Sequence, residues 1–295
     1  MNANHLRRRG APAIVIGGIL LTALAAALIA ACGGNQATSS APAATLPPQA
    51  PARSTAGAPS SSRTASSAAP APAPPLSGRT ILVDPGHNGG NFSHPRAIAR
   101  LVPDGNGEKE CDTTGTAAAD GYRETDFTWS VAVRLRSLLL AAGAHVVMTR
   151  SSNTGVGPCV NERAAIGNRA HADAAISIHA DGGPPGGSGF AILVPAPIPS
   201  RGDRAIIAPS HLLAFALRSS LLAIGLHTST YDGVGGIAPR TDLGGLNLSA
   251  RPKVFVEVAN MQNRADETPM ERPAYREHVA EALKGGLERF LSATP

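Results

Sequence analysis

Short apolar runs that end in turn residues predict the strands of this chain. Residues 80–83 are apolar or β-branched and stop abruptly at Asp84-Pro85-Gly86, which predicts a buried strand whose carboxyl end turns out of the sheet. The run at 174–178 repeats this pattern, and the run at 253–258 carries one carboxylate among apolar residues. The predicted strands are 80–83, 144–150, 174–178, 190–194 and 253–258.

Between these runs, apolar residues recur at helical spacing. In the clearest case Phe127, Val131 and Leu135 share one face of a helix that begins at Glu124, and Gly143 is placed to end it. Further helices are predicted over 160–172, 211–224 and 272–291. Alternating strands and helices predict an α/β fold, in which a single domain has a mostly parallel central sheet flanked by helices on both faces.

The N-terminal segment has the layout of an export signal. Residues 1–32 carry three arginines near the start, Arg7, Arg8 and Arg9, and continue as an apolar stretch that ends in small residues. The end of this stretch, Ile29-Ala30-Ala31-Cys32, resembles the lipobox of bacterial lipoproteins. We therefore expect Cys32 to be lipidated and to attach the exported chain to a membrane. An uncleaved membrane anchor and a plain secretory signal are the alternatives.

The next segment lacks the large apolar side chains that a core needs. Residues 33–76 consist mainly of Ala, Pro, Ser, Thr and Gly, and such a composition predicts a disordered spacer. The folded part is then predicted to be residues 77–295, a length that suits one α/β domain.

This division changes the meaning of the net charge. The chain of 295 residues is formally +5 at pH 7. The charged residues before residue 77 are five arginines: Arg7, Arg8, Arg9, Arg53 and Arg63. They account for the whole excess, so the predicted domain is neutral overall. A nucleic-acid-binding protein needs a basic patch on its folded domain, and we therefore expect no nucleic-acid partner.

The cysteines agree with export from the cytoplasm. With Cys32 assigned to lipid, Cys111 and Cys159 remain as a pair, and both lie in loop-like surroundings. In an oxidising compartment such a pair forms a disulfide more often than a metal site. We expect a Cys111–Cys159 bridge that joins two long loops.

The candidate chemistry lies at strand ends and at one helix start. His87 and His179 each follow a predicted strand, Glu257 lies in the last strand, and Glu124 lies in the first turn of its helix. Ligands of open α/β sheets bind outside the carboxyl ends of the strands. Two imidazoles and one carboxylate are the ligand set of many hydrolytic zinc sites. A further carboxylate, for which Glu257 is the best candidate, can act as general base.

Glu124 has an alternative explanation. An acid in the first helical turn is also favoured by the helix dipole alone. Glu108 and Glu110 are other acids in the long polar stretch 88–121, but no amphipathic helix follows them.

Several motifs, in this order, resemble those of the zinc-dependent N-acetylmuramoyl-L-alanine amidases. The motifs are 81–87, 148–150, 161–168, 172–180 and 254–257, with Asn263. The resemblance implies that His87, Glu124 and His179 bind Zn²⁺ and that Glu257 is the catalytic glutamate. Asn88 and Asp181 depart from the usual pattern of the family, which affects details of substrate contact.

The resemblance also implies a function. We expect an envelope enzyme, monomeric and lipid-anchored, that hydrolyses the amide bond between the lactyl group of N-acetylmuramic acid and L-alanine of the stem peptide. Its partners would be peptidoglycan muropeptides. The alternatives are a non-catalytic peptidoglycan-binding lipoprotein, and a zinc peptidase or deacetylase that acts on the same polymer.

Overall fold

The computed structural model describes residues 73–201 and 204–294. The predicted export signal, Cys32 and most of the predicted spacer lie outside the described residues. The strands are β1 (Thr80–Pro85), β2 (Leu101–Pro103), β3 (Glu108–Glu110), β4 (His145–Met148), β5 (Ala174–Asp181), β6 (Ala191–Pro195), β7 (Ile237–Arg240) and β8 (Lys253–Asn260). The helices are α1 (Pro95–Ile98), α2 (Glu124–Ala141), α3 (Val160–Arg169), α4 (Ile207–Ala223), α5 (Gly244–Asn247), α6 (Arg264–Met270) and α7 (Pro273–Ser292).

Six of the strands form the central sheet, in the order β4-β1-β5-β8-β6-β7. The first four strands are parallel, β6 runs antiparallel to β8, and β7 is parallel to β6. Strands β2 and β3 form a separate antiparallel hairpin. The prediction of an α/β domain with a mostly parallel sheet is confirmed.

Alternation along the strands separates a face of the sheet that packs into the main core from a second face that carries polar residues as well as apolar ones. On one face, β1, β5 and β8 contribute the buried residues Ile81, Val83, Ile176, Ile178, Val254 and Val256 to the main core, which α2, α4 and α7 cover. The residues between them point to the face covered by α3 and α5, and these include Asp84, Ser177, His179, Lys253 and Glu257. Because side chains alternate with a period of two, the chemistry of all three strands meets on this second face.

The folded part begins slightly earlier than predicted. Leu76, which we assigned to the spacer, is 1% exposed and belongs to the main core. Its backbone N–H donates to Ala142 O at the end of α2. The apolar side chain of Leu76 therefore closes the core next to β1 and α2.

Candidate active site

Three of the predicted site residues come together at the edge of the sheet. His87 follows β1, Glu124 opens α2, and His179 lies near the end of β5. One potential ligand atom from each residue lies within 4.8 Å of the other two. Glu124 lies between the imidazoles, with Oε2 3.4 Å from His87 Nε2 and Oε1 2.9 Å from His179 Nδ1. The assembly is a compact group of two nitrogens and a carboxylate.

Two glycines allow this close approach. A Cβ atom at Gly86 would overlap the ring of His179. At Gly115, which has a positive φ of 73°, a Cβ would lie 2.7 Å from Glu124 Oε2 and 2.8 Å from His87 Cδ2. The Asp-Pro-Gly-His sequence after β1 therefore serves the site through its glycine as well as its histidine.

The electrostatics of Glu124 suit a cation. Burial by itself would raise the pKa of Glu124, but the charge on His87, the hydrogen bond from His179 and the N–H of Thr116 outweigh it and lower the pKa to about 2. Within residues 73–201 and 204–294, no lysine or arginine pairs with this carboxylate. A buried, ionised carboxylate between two imidazoles is a donor set that fits a divalent metal ion such as Zn²⁺.

Glu257 borders the same group of residues. It lies beside His179 in the parallel pairing of β5 with β8, and both residues line a cavity of about 200 Å³ together with His87. Its Oε2 is buried and has no hydrogen-bond partner among the residues that the structure describes. Burial, followed by the nearby charge of Glu124, raises the pKa of Glu257 well above its usual value. A carboxyl group whose protonated form is favoured in this way is suited to take up and pass on a proton.

A buried ionic network supports the site from behind. Asp84 accepts hydrogen bonds from Arg163 Nη1 at 2.7 Å and from Lys253 Nζ at 3.0 Å. The two cations outweigh the effect of burial and lower the pKa of Asp84 well below its usual value. Lys253 also approaches the ring of Phe255, which stacks on His179 with a centroid distance of 5.0 Å and an interplanar angle of 16°. Neither the network nor the stacking follows from the sequence pattern alone.

Asp112 is a further site residue that the sequence analysis missed. Its Oδ1 accepts a hydrogen bond from His87 Nδ1 at 2.8 Å, and its side chain is buried. The only signal in the sequence is its position after Cys111, within a stretch without periodicity. The contact depends on how the long loop folds back over β1.

The predicted disulfide is present between Cys111 and Cys159. Cys111 follows the β2–β3 hairpin, and Cys159 precedes the first residue of α3. The bridge therefore joins the loop that carries Asp112 to the helix that carries Arg163.

The other acids considered for the site lie elsewhere. Glu108 and Glu110 belong to β3 and are exposed, although Glu110 lines the outer part of the cavity. A second group of carboxylates, Asp120, Glu267 and Glu271, lies on the surface between the loop before α2 and helix α6. In the described part of the chain, none of the helices combines the length and apolar character needed to cross a membrane.

Comparisons with known proteins agree with the resemblance seen in the sequence. Residues 81–289 match the sequence profile of a family described as N-acetylmuramoyl-L-alanine amidase. An N-acetylmuramoyl-L-alanine amidase of Mycobacterium tuberculosis is 41% identical over 218 residues, covering 74% of this chain and 88% of the relative.

Two solved structures are similar in both fold and sequence. The crystal structure of an N-acetylmuramyl-L-alanine amidase from Mycobacterium smegmatis has a TM-score of 0.70 and 42% identity, and the match covers 74% of this chain and 99% of that one. The apo form of the corresponding enzyme from Mycobacterium abscessus has a TM-score of 0.69 and 42% identity, with 73% and 100% covered.

Proposed function

Because this chain belongs to the N-acetylmuramoyl-L-alanine amidase family and is a peptidoglycan hydrolase of that type, we propose that it is a zinc-dependent amidase of cell-wall remodelling or cell separation. Its substrate bond would be the amide between the lactyl group of N-acetylmuramic acid and L-alanine of the stem peptide. The observation that carries the proposal is the group of His87, Glu124 and His179, whose two histidines line one cavity together with Glu257.

The donor set supports zinc as the metal. His87, Glu124 and His179 would hold the ion, and zinc dependence is the general property of the family. When bound, zinc polarises the amide carbonyl and lowers the pKa of water from 15.7 to about 7. The permanent negative charge of Glu124 between the two imidazoles supports binding of a cation at this position.

Glu257 would move the proton that amide hydrolysis requires. Its unpartnered Oε2 is free to accept a proton from the attacking water while the water oxygen bonds to the carbonyl carbon. As the carbon–nitrogen bond breaks, the same oxygen returns that proton to the leaving amine of L-alanine. The raised pKa of Glu257 suits a group that must carry a proton between these two steps. Phe255, Leu243 and Val160 line the cavity and keep its walls partly apolar, which strengthens the interactions of charges inside it.

The proposed location follows from the substrate. Peptidoglycan lies outside the cytoplasm, so the enzyme would act in the cell envelope, and the export signal predicted at residues 1–32 supports this. Attachment to the membrane through a lipid on Cys32, and action as a monomer on muropeptides, belong to the same proposal.

Replacing Glu257 tests the proposal. We expect Glu257→Gln to lower hydrolysis of a purified muropeptide by about 100-fold or more, because the isosteric amide cannot accept the proton. Mass spectrometry of the products identifies the cleaved bond, which must yield a peptide with a free L-alanine amine. Glu281→Gln is the matched control, since Glu281 is exposed on α7. Full activity of Glu257→Gln, or a product cleaved elsewhere, would contradict the proposal.

A further inference from the structure

We propose that Asp112 is the positioning residue of His87, and that its carboxylate fixes the tautomer in which His87 offers Nε2 to the metal. The inference rests on the proposed function, because it concerns how one of the zinc ligands is prepared. Asp112 touches neither Glu124 nor His179 in the described hydrogen bonds, so it acts through His87 alone.

The geometry of the imidazole defines the role. Asp112 Oδ1 lies 2.8 Å from His87 Nδ1, while His87 Nε2 lies 3.4 Å from Glu124 Oε2. An ionised carboxylate can only accept a hydrogen bond, so Nδ1 must carry the proton. In the neutral ring the lone pair then resides on Nε2, the nitrogen that faces Glu124. A carboxylate that takes the outer N–H of a metal-binding histidine orients the ring and raises its basicity.

The other oxygen of Asp112 is fixed by two donors. Asn88 Nδ2 donates to Asp112 Oδ2 at 2.8 Å, and Arg163 Nη2 donates to the same oxygen at 3.3 Å. Arg163 Nη2 also donates to the backbone oxygen of His87 at 2.8 Å. One guanidinium therefore holds both the carboxylate and the backbone of the histidine that the carboxylate orients.

The disulfide completes the support. Cys111 immediately precedes Asp112, and Cys159 immediately precedes α3, which carries Arg163 one turn further on. Between the two cysteines, Val160 N–H donates to Cys111 O at 2.9 Å. The covalent bond thus holds the loop of Asp112 against the helix of Arg163. The ring of His179 is positioned differently: it stacks on Phe255, and the absence of a side chain at Gly86 leaves room for it.

A conservative substitution separates positioning from general support. In Asp112→Asn, the amide oxygen is drawn to the Oδ2 position, because Asn88 and Arg163 both donate there, whereas only the Thr113 N–H donates at the Oδ1 position. The amide NH₂ then faces His87 Nδ1 and donates to it, which moves the proton to Nε2, the nitrogen required for the metal. Asp112→Ala removes the carboxylate but leaves Thr113 Oγ1 3.3 Å from His87 Nδ1 as an acceptor, so it does not reverse the preference. Asp112→Asn changes the shape of the side chain less than Asp112→Ala does, but it is therefore expected to weaken metal binding at least as much.

The experiment measures zinc affinity and the His87 tautomer in the purified full chain. Competition with a chelator gives the zinc affinity. In the zinc-free protein, ¹⁵N chemical shifts of the histidine rings give the tautomer, measured at a pH high enough for the ring of His87 to be neutral. We expect Asp112→Ala to weaken zinc binding about 10- to 100-fold, and Asp112→Asn by at least as much. We also expect the Asn variant to move the proton of His87 from Nδ1 to Nε2.

Asp104→Asn is the control for loss of a buried carboxylate close in sequence, in the turn between β2 and β3. Asp104 is 7% exposed and its Oδ1 accepts the N–H groups of Asn106 and Gly107, away from His87. We expect wild-type zinc affinity and an unchanged tautomer for this variant.

The outcomes distinguish this inference from the proposed function. If the wild type binds zinc and cleaves muropeptides but both Asp112 variants bind zinc as tightly, only the role of Asp112 is refuted. If the wild type binds no zinc, the proposed function fails, and the tautomer of His87 in zinc-free protein still decides the role of Asp112. Should Asp112→Ala not fold, the isosteric Asn variant supplies both measurements. An unchanged His87 tautomer in Asp112→Asn would overturn the inference.

Discussion

Single residues set the spacing of the site. The rings of His87 and His179 meet edge to face with centroids 5.0 Å apart, and this approach depends on residues that have no side chain. His87 itself adopts a positive φ of 52°, which is uncommon for a residue other than glycine. Strained backbone of this kind persists only where the surrounding structure holds it, and here Arg163 binds the His87 carbonyl.

Replacing Gly86 by alanine tests this spacing. The new Cβ would overlap the His179 ring, so we expect Gly86→Ala to displace the ring and to weaken zinc binding and amidase activity by at least about 10-fold. Zinc titration of the purified variant is the measurement. Gly186→Ala is the control, since a Cβ there meets nothing within 4 Å. Wild-type zinc affinity in Gly86→Ala would show that the ring has room to move.

Among the helices and strands, those marked by a regular apolar pattern or by turn residues could be predicted from the sequence. The strands at 80–83 and 174–178 were predictable from their apolar runs, and α2 because its apolar face is regular, although β5 continues past His179 to Asp181. The hairpin of β2 and β3 was not, since each strand has three residues and β3 is a run of charged residues. Strand β7 contains a proline and only four residues, so it also carried no signal.

The site residues, too, could be predicted only where a local sequence pattern marks them. Histidines and glutamates at element ends could be recognised one by one. The structure groups His87, Glu124 and His179, and the two histidines line one cavity with Glu257. The contacts of Asp112 and Arg163 depend on how a long loop folds over β1 and α3, which no local pattern records.

The Cys111–Cys159 disulfide links the loop after β3 to the start of α3, and its removal should affect both stability and zinc binding. The bridge closes a loop with a sequence separation of 48, so replacing both cysteines by serine is expected to lower the free energy of unfolding by about 2–4 kcal/mol. Zinc affinity should fall as well, because the loop of Asp112 loses its attachment to α3. Urea unfolding and zinc titration measure the two effects. Free-thiol counting on the unreduced wild type serves as the control and should find neither Cys111 nor Cys159 reactive. An unchanged urea midpoint would contradict the prediction.

For the whole molecule, stability should respond to pH through the surface carboxylates. Hydrogen bonds with Asp120 and then with Glu267 raise the pKa of Glu271 to about 7. A group whose pKa is raised by folding stabilises the native state fully below its unfolded pKa, about 4.3 for glutamate, and this contribution disappears as the pH rises through about 7. The protein should therefore lose stability across this range as Glu271 becomes charged beside Asp120 and Glu267.

Glu271→Gln should reduce this loss, because the amide remains neutral at every pH and can still donate a hydrogen bond. We expect the fall in Tm between about pH 5 and about pH 8.5 to be smaller in the variant than in the wild type. Thermal unfolding at several pH values is the measurement, with Glu281→Gln as an isolated exposed control on α7. Parallel curves for all three proteins would show that the cluster does not influence stability.

The position of Leu76 shows where the preceding chain joins the domain relative to the site. Its contact with Ala142 lies at the C-terminal end of α2, whereas Glu124 lies at the N-terminal end of the same helix. An 18-residue helix is roughly 27 Å long, so Leu76 and Glu124 lie about that far apart, at opposite ends of α2. A tether made through the chain before Leu76 would therefore act at the end of α2 remote from the site, and leave the cavity beside Glu257 unobstructed by the attachment point.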